Sequence, residues 1–174
     1  MTVSIELQME QMGQRAKKAA RVLSAAAPAA KTQALRALAA LLIERQPDIL
    51  KANALDVDAA KAANMDAPRL GRLTLTPRIM AEVADACLHV AEMADEVGVI
   101  EQQWQRPNGL MIGKMRIPLG VIAMIFESRP NVTIDAAILC LKAGDAVILR
   151  GGSEAIHSNL ALAGLLHEAL RSAG

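Results

Sequence analysis

Residues 118–154 read PLGVIAMIFESRPNVTIDAAILCLKAGDAVILRGGSE, and the order of patterns within them decides the fold. Leu119 to Phe126 is apolar throughout, as expected of a parallel strand buried on both faces. Pro130 and Asn131 then open a helix from Val132 to about Ala143, which Gly144 ends. Asp145 to Arg150 is a second buried strand by the same criterion; Gly-Gly-Ser-Glu follows, and a last helix is predicted from about Ala155 to Ser172. The crossover from Phe126 to Ala146 is long enough for a right-handed βαβ connection, and such units hold ligands beyond the carboxyl ends of their strands. Two segments therefore point at one site: Glu127-Ser128-Arg129-Pro130-Asn131 and Arg150-Gly151-Gly152-Ser153-Glu154.

Upstream of this unit the rule changes. VIEQQWQR (99–106) and LMIGKMRI (110–117) flank Pro107-Asn108-Gly109, which predicts a hairpin whose glycine takes a positive φ. Met111, Gly113, Met115 and Ile117 alternate with Ile112, Lys114 and Arg116, so one face is strongly apolar and needs another sheet or subunit to cover it. Residues 1–98 read as helices. The first carries Met9, Met12, Ala16, Ala19, Leu23 and Ala26 at helical spacing; the second runs from Ala29 to about Arg45. Short helical pieces punctuated by Asn53, Asn64 and Pro68 are expected next, and then a helix started by Thr76-Pro77 and ended near Gly98. The fold class is thus α/β: helices first, then a hairpin, then the start of an open, Rossmann-like parallel sheet.

The residue types at the strand ends suggest anion chemistry. In a βαβ nucleotide site an acid after the second strand bonds the ribose hydroxyls, whereas a cation suits a 2′-phosphate, so Arg150 favours NADP. Gly151 and Gly152 permit close backbone approach, and a Ser153 cap would leave amides able to hold an anion; a purely structural tight turn is the alternative. No G-x-G-x-x-G follows the first strand and no G-x-x-x-x-G-K-[ST] occurs, which argues against a kinase or ATPase. In FESRPNVTID, either Asn131 or Thr133 caps the helix while Glu127 pairs with Arg129, or Arg129 clamps a substrate carboxylate or phosphate.

Composition removes other classes. Nineteen Lys and Arg against eighteen Asp and Glu give a formal net charge of +1, so no broad field attracts nucleic acid or an anionic membrane. Aromatic residues amount to 1%, Trp104 and Phe126 alone, which removes base-stacking platforms. No stretch of about 18 uncharged apolar residues occurs, and the opening MTVSIELQMEQ lacks the pattern of a signal peptide, so a cytoplasmic protein is expected. Cys87 and Cys140 lie in apolar surroundings and read as core residues. His167-Glu168 lacks the second histidine of a zinc helix, no metal site is expected, and His89, His157 and His167 read as surface or rim groups.

The run from Met115 to Asn159, with ESRPNVTID and CLKAGDAVILRGG as its most specific words, resembles the gamma-glutamyl phosphate reductase family of the aldehyde dehydrogenase superfamily. KANALDV (51–57) and LGRLTLTP (70–77) extend the resemblance over nearly the whole chain. It implies NADPH-dependent reduction of L-glutamyl 5-phosphate to L-glutamate 5-semialdehyde and phosphate in proline biosynthesis, with glutamate 5-kinase as the partner that delivers the acyl phosphate. It implies that a cysteine thiolate displaces phosphate to form a thioester, which hydride from NADPH then releases as aldehyde. It also implies residues 1–98 as the helical part of the cofactor domain, 99–117 as a hairpin for homo-oligomer assembly, and 118–174 as the first βαβα unit of the NADP sheet. Arg150, Gly151, Gly152, Ser153 and Glu154 are the implied cofactor residues; Glu127, Ser128, Arg129 and Asn131 are the substrate candidates. Counting back from Arg150 puts Glu127 or Ser128 where many aldehyde dehydrogenases have an oxyanion-assisting asparagine, so that role does not pass to Asn131. Neither cysteine matches the family's nucleophile motif. The expectation is therefore an amino-terminal portion without the catalytic domain, inactive alone.

Two rivals remain at this level. A non-catalytic interaction module would use its hairpin to pair with a partner and would lack NADPH binding. An aldehyde dehydrogenase of other specificity would lack a segment such as ESRPNVTID.

Overall fold

The structure, a computed structural model, describes residues 4–174; residues 1–3, with which the expected helical part opens, lie outside the described residues. Five helices come first: α1 (Ile5–Ser24), α2 (Pro28–Glu44), α3 (Gln46–Ala62), α4 (Ala67–Leu73) and α5 (Pro77–Glu92). A β-hairpin, β1 (Ile100–Gln105) and β2 (Met111–Met115), precedes β3 (Val121–Ile125), α6 (Val132–Ala143), β4 (Ala146–Arg150) and α7 (Ile156–Ser172). β3 and β4 are parallel neighbours with Val121 beside Ala146 and Ile125 beside Arg150, so the chain has the expected βαβα order.

Local chemistry explains most boundaries. The Ile79 amide donates to Thr76 Oγ1 at 3.2 Å, which starts α5 before Pro77 removes a donor that the first turn does not need. Gly144 ends α6 in the left-handed conformation at φ 78°, and Gly109 turns the hairpin at φ 87°. Asn53 departs from its expected role. It interrupts nothing: α3 is one continuous helix, and Asn53 is a buried residue within it.

The main core lies among α2, α5, α6 and α7, where Leu35, Leu38, Leu42, Met80, Cys87, Ile134, Ile138 and Leu162 are almost wholly buried. A smaller cluster joins Val57 and Ala60 of α3, Leu73 of α4 and Ala155, which follows β4. That second cluster fixes the position of the turn after β4. Lys31 enters the interior at 2% exposure and is ion-paired with Asp95; Lys142 donates to the Ala91 carbonyl at 3.0 Å, at the carboxyl end of α5.

One expectation is corrected here. β3 is not buried on both faces: Val121 is 38% and Ile125 78% exposed, while Ile122 and Met124 are half-buried. α1 and α6 pack mainly over β4, so among the described residues one face of β3 has no cover. The hairpin is likewise open, with Met111, Met115 and Ile117 each more than half exposed. Among the described residues no helix is long and apolar enough to cross a membrane.

Candidate functional site

Both predicted segments meet at the carboxyl ends of the parallel pair. The Phe126 amide donates to the Arg150 carbonyl at 3.1 Å, which extends the ladder one residue and sets Glu127–Asn131 beside Arg150–Glu154. Ser128 then joins them: its amide and its hydroxyl both donate to Glu154 Oε1, at 3.0 and 2.6 Å. The Ser128 hydroxyl and next the Glu154 amide, with smaller help from the Ser128 amide and Arg150, hold the Glu154 carboxyl below its ordinary value against an opposing effect of burial. Arg150 is exposed and, among the described residues, makes no ion pair or side-chain hydrogen bond. A free guanidinium at this strand end fits a phosphate.

The remaining candidates depart from the local readings. Asn131 does not cap α6; its side-chain amide donates to Asp135 Oδ2 at 3.0 Å. Burial nevertheless pushes the Asp135 carboxyl up. Thr133 is no cap either, because its hydroxyl reaches across to Asn159 Oδ1 at 3.0 Å. Glu127 and Arg129 are both exposed and form no ion pair with each other among the described residues. α6 starts instead through backbone bonds from Val132, Thr133 and Ile134 to the Arg129, Pro130 and Asn131 carbonyls.

Ser153 is also not a cap. Residues Ser153–Ala155 form one turn of 3-10 helix, and the first amides of α7 are taken by a residue from a distant helix. Asp56 of α3, 2% exposed, accepts from the His157 amide at 3.1 Å and the Ser158 amide at 2.8 Å, and also from Ser158 Oγ at 2.6 Å. His157 Nδ1 lies 2.7 Å from the same carboxylate. The amides read as free for an anion are occupied by a carboxylate from within the protein. Asn53, one turn earlier in α3, donates to the Leu73 carbonyl and Ser158 Oγ and accepts from the Leu75 amide. This pair escaped sequence reasoning. Its signal was present: Ile49, Asn53, Asp56, Val57 and Ala60 fall on one helical stripe, so two polar residues interrupt a buried face.

The glycines have a structural account too. A Cβ on Gly151 would overlap the Asn159 side-chain amide, and a Cβ on Gly152 would overlap the Glu154 carboxylate. Arg69 of α4 is a third residue that sequence reasoning missed; Asp66 chiefly raises its pKa, and Glu127 and Glu154 add to the effect.

Neither cysteine suits a nucleophile. Cys87 is fully buried and its thiol is pushed up to about 12, by burial first and Asp135 second. Burial also raises the Cys140 thiol, with Asp145 adding to the effect. Among the described residues there is no group of three or more His, Cys, Asp or Glu placed to hold a metal.

The parallel pair, its helices and the hairpin define the amino-terminal part of an aldehyde dehydrogenase-like α/β fold. The superposition on a probable aldehyde dehydrogenase of Listeria monocytogenes covers 97% of the chain with a TM-score of 0.70 at 15% identity, which concerns the fold alone. Within that class the chain resembles the amino-terminal portion of gamma-glutamyl phosphate reductases. It is 69% identical over 172 residues to the one from Nitratidesulfovibrio vulgaris, covering 99% of this chain and 41% of that protein. The crystal structure of the Thermotoga maritima gamma-glutamyl phosphate reductase matches with a TM-score of 0.89 at 38% identity, over 91% of this chain and 38% of that one. No family model matches the chain. The chain spans about two fifths of the length of the curated relatives it matches.

Proposed function

We propose that this chain is the nucleotide-holding amino-terminal part of a cytoplasmic gamma-glutamyl phosphate reductase, which uses NADPH to convert L-glutamyl 5-phosphate to L-glutamate 5-semialdehyde and phosphate for proline biosynthesis. The observation that carries this reading is the 69% identity over 172 residues, which runs through both strand-end segments. Arg150 would hold the 2′-phosphate of NADPH, with the Ser153 hydroxyl at the rim and Gly151 and Gly152 allowing the nucleotide near the backbone. Bound there, NADPH supplies the hydride that converts an acyl group to an aldehyde. Arg129 and Asn131, with Glu127 and Ser128, line the other strand end, where an anionic substrate would be oriented. The nucleophile is assigned to neither Cys87 nor Cys140. The open apolar face of the hairpin supports assembly with a second copy, and glutamate 5-kinase is the source of an acyl phosphate too reactive to accumulate.

The test follows NADPH absorbance in the full-length natural protein, with glutamyl 5-phosphate made in situ by the kinase. NADPH oxidation matched by phosphate release is expected. Oxidation of unrelated aldehydes with no turnover of the acyl phosphate would replace this reading with an aldehyde dehydrogenase of other specificity.

A further inference from the structure

The turn after β4 carries two groups with opposed preferences. An acid at the end of a second nucleotide-site strand accepts hydrogen bonds from ribose hydroxyls, and a cation there takes a 2′-phosphate. Arg150 and Glu154 belong to the same turn, yet the structure treats them differently. Arg150 is exposed, whereas Glu154 is half-buried and engaged by Ser128. Three features serve that engagement. Ser128 is itself buried, at 6% exposure. Its two donors converge on one oxygen of Glu154. Gly152 has φ −64° and ψ 149°, an ordinary extended conformation open to any residue, so its backbone does not require glycine. What glycine provides is room for the carboxylate, which lies where a Cβ would be and would be displaced by one.

We propose that Ser128 is a specificity-determining residue for the dinucleotide: by holding the Glu154 carboxylate beneath Gly152, it keeps an acceptor from the ribose hydroxyls of NADH. Ser128 acts through Glu154, so it is a positioning residue, and the proposal rests on the reading that the adenosine ribose lies at Arg150. Discrimination here has two parts, since Arg150 attracts one cofactor while the sequestered acid withholds a contact from the other.

The experiment measures NADPH and NADH dissociation constants on the full-length protein by titrating nucleotide fluorescence. Ser128→Ala should lower the NADPH-to-NADH preference about tenfold. Gly152→Ala, which displaces the same carboxylate through a different atom, should move the ratio in the same direction. In a Glu154→Ala background, Ser128→Ala should leave the ratio where Glu154→Ala put it. A general structural role would weaken both nucleotides together, and an unchanged ratio in Ser128→Ala and Gly152→Ala overturns the proposal. An Arg150→Ala control separates the two levels: if it does not reduce the preference, or if the unmodified protein shows none, the placement of the nucleotide is wrong and this proposal falls with it.

Discussion

At the scale of the residue, the proposed role of Arg150 turns on a single charge at a strand end. Charge-assisted hydrogen bonds to a phosphate are worth about 1.5–3 kcal/mol. Arg150→Ala in the full-length protein should therefore weaken NADPH roughly ten- to a hundredfold and leave NADH nearly unchanged, as read by nucleotide titration. Equal losses would reduce Arg150 to a support for its turn. The cysteines carry the converse prediction. Because Cys87 and Cys140 are buried with raised pKa values, residues 1–174 alone should give no NADPH oxidation with glutamyl 5-phosphate. Turnover that disappears in Cys140→Ser would overturn that assignment.

At the scale of the element, α7 is started from outside. Asp56→Ala would leave the His157 and Ser158 amides and the Ser158 hydroxyl without their acceptor in a buried setting, at a cost of about 2–4 kcal/mol. Chemical denaturation should show that loss, and amide exchange should quicken at His157 and Ser158; unchanged stability would refute the cap. The same helix shows what was legible in the sequence and what was not. Thr76-Pro77, Gly109 and Gly144 were readable because their partners or backbone demands lie within a few residues. Arg150 was readable as the end of its strand, and the structure does put both candidate segments at one edge. The use of Asp56 was not readable, because its partners stand 101 and 102 residues away. The apolar run of β3 tells what the strand is able to bury, while its exposure depends on what packs against it.

At the scale of the whole molecule, two responses are expected. Replacing Met115 and Ile117 with lysine should convert the assembled full-length protein to monomers or aggregates in light scattering, because the hairpin's apolar face is otherwise uncovered; a parent protein that is monomeric at all concentrations would refute assembly through this ribbon. Acid should loosen the fold at Asp95. Burial presses that carboxyl upward, but the Lys31 ammonium, the Val97 amide and the charge of Lys142 outweigh it and hold it below its ordinary 3.8. A depressed folded-state pKa means that the stabilisation is complete above that ordinary value and is lost as pH falls through the folded one. The melting temperature should thus drop below about pH 4, and Asp95→Asn should flatten that limb of the pH profile; an identical acid limb in the variant would place the sensitivity elsewhere.

The cap on α7 also sets an order in time. Asp56 and the Ser158 amide are 102 residues apart, and synthesis proceeds at about 5–20 residues per second, so the carboxylate is made roughly 5–20 s before the amides it serves. During that interval α3 presents a hydrated anion on the stripe that later becomes interior. Burial of that stripe is therefore a late event, timed by the arrival of α7, and the early helices complete their packing only after the βαβα unit has been made.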